Sequence, residues 1–194
     1  MADAFSPESR CAEEISKRSS MLSKMPSTLD LNAELRKLSV ARSEIEVGEL
    51  VRDATERLVR PDWTSFLIIE GRVSDRTAEC VPGHPPCMPS GVFCVSCASQ
   101  ALVSHSVVTI SDVLTDDRTT PMFQRSSFRG VLLVPACSND LSVVLGAYWK
   151  EPRDPDLEQV AILATLTRNA SAAVRCIRLF AMFADKRSAL NCPP

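Results

Sequence analysis

Hydrophobic and polar positions alternate along this chain in blocks of different period, and the blocks mark out the elements. Leu29, Leu31, Leu35, Leu38 and Val40 recur at near-helical spacing and predict a first helix, with Ser27 or Asp30 placed to cap its start. From about Glu46, Val47, Leu50, Val51, Ala54 and Leu58 share one face of a second helix, which Pro61 stops because proline cannot donate the helical hydrogen bond. "WTSFLIIEG" (63–71) reads as a buried strand and Thr77 to Val81 as a second, weaker one. Val107 to Ile110, Val131 to Ala136 and Ser142 to Trp149 are rich in β-branched residues and predict three more strands, the last two joined in a hairpin at Asn139-Asp140. Hairpin neighbours make an antiparallel sheet.

The closing block is the longest. Asp154 is placed to cap it, Pro155 to occupy its first position, and Asp156 and Glu158 to favour its positive end. Leu157, Val160, Ala164, Thr167, Ala170, Val174, Ile177 and Ala181 then return every three or four residues. At ~1.5 Å per residue, a helix reaching Lys186 is nearly 50 Å long, more than one sheet needs, and its far end calls for a partner. A homodimer bundle with the Glu46 helix satisfies it. The organisation expected is a flexible arm over 1–28, one domain over 29–187 and a tail over 188–194; no fixed-period repeat points to a solenoid.

Composition narrows the classes. The 194 residues are 45% hydrophobic, enough to bury one core, and the formal net charge of -2 gives no footprint for a phosphate backbone. Nucleic acid is disfavoured as a partner. The acidic start "MADAFSPESRCAEEISK" lacks a signal peptide's apolar centre, and no apolar run reaches the ~18 residues of a membrane span, so a cytoplasmic protein without a membrane partner is expected. Eight cysteines in that compartment read first as core residues, metal ligands or redox groups. Cys137, ending a core strand, and Cys176, in the closing helix, are best explained by packing.

"ALVSHSVVTISDVLTDDR" (101–118), "FRGVLLVPACSNDLSVVLGAYWKEP" (128–152) and the polar "EPRDPDLEQ" before the last helix stand in an order that resembles a GAF domain over about Val47 to Phe183. The resemblance implies an α/β (α+β) fold, an antiparallel sheet with the long N- and C-terminal helices on one face and a loop-borne pocket on the other. It implies a sensory or regulatory module that binds a small ligand or responds to redox state, signalling through its dimer helices or to a partner protein. The family's cavity corresponds here to Phe93 to Leu102 and Asp112 to Phe128. Phe93, Met122, Phe123 and Phe128 would wall it, and Asp112, Arg118 and Arg125 would orient a polar or anionic group. Each has a plainer role: the aromatics as core, Asp112 as a turn cap.

Cys80, His84, Cys87, Cys94 and Cys97 crowd a loop (82–91) with four prolines and two glycines. Cys94 and Cys97 have the spacing of a zinc-binding pair that Cys80, His84 or Cys87 would complete. "PPCMPSGVFCVSCASQAL" also looks similar to the free methionine-(R)-sulfoxide reductases, GAF enzymes, with Cys87 in the loop and Cys94 or Cys97 at the helix start. A thiolate there is stabilised by the helix's unpaired amides. The sequence departs from those enzymes in having no cysteine between Cys97 and Cys137. No cysteine is followed by histidine, as bilin attachment requires, and no "NKFDE" signature of cyclic-nucleotide binding lies between Asp112 and Arg129. His105, in a helix-to-strand turn, is read as a surface residue before a haem ligand. The cofactor stays unknown.

Overall fold

The computed structural model describes residues 28–70, 78–80, 92–119, 121–124, 126–138 and 141–190. In chain order these form α1 (Thr28–Val40), α2 (Glu44–Leu58), β1 (Trp63–Glu70), β2 (Ala78–Cys80), α3 (Val92–Ser104), β3 (Val108–Ile110), α4 (Pro121–Gln124), β4 (Gly130–Cys137), β5 (Leu141–Trp149) and α5 (Leu157–Leu190). The strands make one five-stranded sheet in the order β2-β1-β5-β4-β3, every pairing antiparallel. β5 is paired along its whole length, with Trp63 opposite Tyr148 on one side and Gly130 opposite Trp149 on the other. All nine of its residues are buried, because both faces of the sheet are covered.

Two cores result. Val143, Leu145, Ala147 and Trp149 of β5 join Phe66, Ile68, Leu132 and Val134 under α1, α2 and α5, while Val144 and Tyr148 join Leu67, Leu133, Val131 and Ile110 under α3. Period-two alternation sends neighbouring side chains to opposite cores. The long helices thus share one face and the α3 and loop layer takes the other, the expected architecture.

α2 starts two residues before the expected Glu46. Ser43 caps it, accepting from the Glu46 amide at 3.1 Å, and the Glu46 carboxylate turns back to the Arg42 amide at 2.8 Å. Reciprocal bonds of this kind satisfy amides that the first turn leaves open. Its apolar face is as expected, with Val47, Val51 and Ala54 fully buried. α1 is held to it by Glu34, 6% exposed, which pairs with Arg57 at 2.6 Å and Lys37 at 3.1 Å. α1 begins at Thr28, inside the span expected as an arm; Asp30 lies within its first turn and Ser27 outside the described residues. Val40 is 70% exposed and leaves the stripe.

α5 departs from expectation in four ways. Its cap is Asp156, which accepts from the Gln159 amide at 2.7 Å while Gln159 returns to the Asp156 amide at 3.2 Å. Asp154 and Pro155 stay in the lead-in, where Asp154 accepts from the Ser111 hydroxyl instead. The expected stripe holds from Val160 to Ile177, joined by the buried Leu163 and Leu166, and fails at its two ends, where Leu157 is 88% exposed and Ala181 exposed. The helix runs on to Leu190, past the point where a tail was expected. Its Leu157–Ala184 stretch is long and apolar enough by length and composition to cross a membrane, against the expectation that none would be. Here the apolar residues have a nearer use, since Leu163, Leu166 and Ala170 pack on the sheet. Arg178 adds a two-pronged contact to Glu44 at 2.6 and 3.0 Å, fixing α5 to the start of α2.

Candidate functional site

The sheet face opposite α5 carries the candidate site. Its floor comes from β1 and β5: Ser65 and Tyr148, each 1% exposed, join hydroxyl to hydroxyl at 3.1 Å. Gly146 makes the room. A Cβ there would stand 2.6 Å from Ser65 Oγ and 2.8 Å from both Cε2 and Oη of Tyr148, so only glycine lets the ring and the hydroxyl lie over the strand. Around this polar pair the layer is apolar. Phe128 packs on Tyr148 with ring centroids 5.6 Å apart and on Trp63 at 6.3 Å, tilted as quadrupoles favour. α3 closes one side through Ala98, Ala101 and Leu102, all buried. The two hydroxyls, bonded to each other and shut from solvent, are a polar pair inside an aromatic and aliphatic layer.

The wall over residues 111–119 is knit by its own side chains. Asp112 accepts from the Leu114 amide at 3.0 Å, the expected turn cap, and also from Arg129 Nε and Nη2 at 2.8 and 2.6 Å. Arg129, with the Leu114 amide, holds the Asp112 carboxyl down to about 2. Arg118 is engaged in the same way: it clasps Asp116 at 2.5 Å, donates to the Thr109 carbonyl at 2.7 Å, and its own carbonyl accepts from Gln100 of α3 at 2.9 Å. That clasp lowers the pKa of Asp116 and raises that of Arg118. Thr119 closes the turn on the Val113 and Asp116 carbonyls at 2.8 and 2.7 Å. Asp112 and Arg118 therefore stiffen the wall with their charges turned on neighbours.

Of the other residues singled out in the sequence, Phe128 lies in the core of this face at 8% exposure. Phe93 falls on α3 and Met122 and Phe123 on α4, beside this layer in sequence, with side chains outside the description, as is Arg125 altogether. Cys80 ends β2, and Cys94 and Cys97 fall in the first half of α3, again without described side chains; His84 and Cys87 lie outside the described residues. Among the described residues, no group of three or more histidines, cysteines and carboxylates could hold a metal ion. Cys137 and Cys176 are exposed, which corrects their reading as packing residues: Cys137 sits where β4 leaves the sheet, and Cys176 on the outward side of α5. His105 is exposed and takes a left-handed turn, φ 49°, at the end of α3.

Ser65, Tyr148, Trp63 and Arg129 are not among the residues read from the sequence. Gly146 was the available signal, since a glycine inside a strand marks a close approach.

No family model and no curated protein matches this sequence. Solved structures do. The GAF domain of an Acinetobacter phosphoenolpyruvate-protein phosphotransferase is similar over 79% of this chain and 97% of its own, with TM-score 0.62 and 13% identity. The free methionine-R-sulfoxide reductase of Neisseria meningitidis, solved with its substrate, aligns over 77% of this chain and 88% of its own, at 0.61 and 16%. The GAF domain of a two-component sensor histidine kinase from Bacillus halodurans aligns over 73% and 99%, at 0.54 and 21%. At such identities the likeness is one of architecture: the chain has the GAF-domain fold.

Proposed function

We propose that the protein is a cytoplasmic sensory or regulatory domain that takes a small molecule, or a change of redox state, on the α3 face and passes the response through α5 to a second copy or a signalling partner. One observation carries the reading. α5 continues beyond the core it covers, and Leu179, Phe180, Met182 and Phe183 stand 51 to 75% exposed on it. Apolar side chains gathered in this way mark a contact surface rather than a finished exterior. A helix that packs on the sheet at Leu163 and Leu166 and reaches outward at Phe180 couples the body of the domain to whatever covers its end. The small molecule would lie above Ser65 and Tyr148, between α3 and the wall stiffened by Asp112 and Arg118.

A second reading is favoured by the likeness to a free methionine-R-sulfoxide reductase. In it Cys94 or Cys97 attacks the sulfoxide sulfur, and Cys87 resolves the resulting sulfenic acid as a disulfide. The deciding assay is turnover of free methionine-(R)-sulfoxide with dithiothreitol as reductant. We expect none. Turnover that is lost when Cys87, Cys94 or Cys97 is replaced by serine would reject the regulatory reading and make the protein an enzyme.

A further inference from the structure

The end of β3 is joined to the root of α5 through one serine. Ser111, the residue after β3, accepts the Arg153 amide on its carbonyl at 2.8 Å and donates its hydroxyl to Asp154 Oδ1. Both partners belong to the lead-in that carries the chain from β5 to α5. Arg153 also sets its guanidinium 5.2 Å over the Trp149 ring. Ser111 in turn opens the wall of the candidate site: Arg129 clasps the next residue, Asp112, the Val113 amide donates to the Arg129 carbonyl at 2.8 Å, and Gln100 of α3 holds the Arg118 carbonyl. A movement of the wall is therefore a movement of Ser111.

Asp154 is the residue that this contact takes out of use as a cap. It is followed by Pro155, which suits a first helical position because the N–H it lacks would be open there, and then by Asp156 and Glu158, which favour a helix's positive end. A helix begun at Pro155 under Asp154 is thus a second start encoded beside the one at Leu157, which the Asp156 and Gln159 pair caps. The two starts exclude each other. Drawing two residues out of an extended lead-in, at ~3.3 Å each, into a helix at ~1.5 Å each shortens the path by about 4 Å. Leu163, Leu166 and Ala170 fix α5 in the core, so the lead-in must give, and residues 153 and 154 come off Ser111.

We propose that Ser111 selects between two starts of α5: while it holds Asp154 the helix begins at Leu157 under Asp156, and when the wall draws it away Asp154 becomes the cap and the helix begins at Pro155. The regulatory reading above gives this switch its use, as the step from wall to helix, but the switch itself is tested without a ligand. The groups exchanged lie at the surface. Ser111, Asp154 and Asp156 are all exposed, and one side-chain hydrogen bond replaces another, so the two starts are close in free energy. Leu157, 88% exposed, holds no core contact that the exchange would break.

The test is amide hydrogen exchange, read by NMR on the full chain and its variants. Ser111→Ala should slow exchange of the Leu157 and Glu158 amides about fivefold, the usual effect of one cap, because the Asp154 side chain takes the first and its carbonyl the second. Asp154→Ala in that chain should cancel the gain, and Ser111→Thr, which keeps the hydroxyl, should show none. The handover has a second signature. In the parent, Asp156→Ala should speed exchange of the Gln159 amide about fivefold. In the Ser111→Ala chain the same change should have little effect, because Gln159 then donates to the Pro155 carbonyl. Asp112→Asn, which loosens the wall, should reproduce the gain at Leu157 and Glu158. Unchanged or faster exchange there in Ser111→Ala, or an Asp156→Ala effect of equal size in both chains, overturns the switch while leaving the regulatory reading to the sulfoxide assay above. A gain in Ser111→Ala that Asp112→Asn does not reproduce overturns the wall's control of it.

Discussion

Arg129 grips Asp112 with two nitrogens, at 2.8 and 2.6 Å, across seventeen residues of chain. The same aspartate accepts the Leu114 amide, so one carboxylate fixes the turn after β3 and ties it to the start of β4. Because its pKa is lowered from 3.8 to about 2, the native state favours the charged form. The stabilisation is fully present above about pH 4 and is lost as the pH falls towards 2. Asp112→Asn should flatten the fall in stability over that window. Urea titrations of both proteins at several pH values between 2 and 5 measure it; identical pH profiles would remove Asp112 from the account.

Gly146→Val should destabilise the domain by about 1–3 kcal/mol, since the added atoms overlap the Ser65 and Tyr148 hydroxyls. Equilibrium urea unfolding gives the figure. A variant as stable as the parent would mean that the Ser65–Tyr148 layer yields freely.

Leu163→Ala should cost about 2–5 kcal/mol, the penalty for emptying a fully buried leucine position beneath α5. The loss should appear as a lower denaturant midpoint with an unchanged slope. A much smaller loss would place α5 more loosely on the sheet than its share in the core with Leu132 and Leu145 implies.

Asp156→Ala should cost about 1 kcal/mol, because it removes the acceptor for the Gln159 amide and the Gln159 side chain loses its reciprocal role. Asp154→Ala should leave α5 itself unchanged and loosen the Ser111 contact instead. Hydrogen exchange over the first turn of α5 separates the two. Equal protection loss in both variants would return the cap to Asp154.

Strand positions were legible in the sequence because β-branched runs bounded by polar turns have few other solutions; β4 is longer than expected by one residue at each end and β5 by one at its start. The start of α5 was misread for a physical reason. "DPD" offers two aspartates, each followed by residues suited to a first turn, and the choice between them depends on Ser111, 43 residues away, which claims Asp154. Arg129 was invisible for the same reason, since nothing local connects it to Asp112. In the candidate site, Phe128 and Asp112 could be read because aromatic and turn chemistry are local properties. Ser65 and Tyr148 could not, because their meeting is a matter of strand register: Ser65 lies opposite Gly146, two residues from Tyr148. The middle of the α5 stripe, Val160 to Ile177, was legible from its period; that Leu157 and Ala181 fall beyond the sheet was not, since periodicity gives spacing and not where a sheet ends.

β5 has one further consequence. Its even-numbered residues Val144 and Tyr148 face the α3 layer, and its odd-numbered Val143, Leu145, Ala147 and Trp149 face α5, so the two cores are separated there by one backbone thickness. Anything that lifts Tyr148 by a fraction of an ångström must tilt the peptides on either side of it, and those peptides carry Ala147 and Trp149. Strand and helix then behave like the two arms of a balance resting on a single fulcrum.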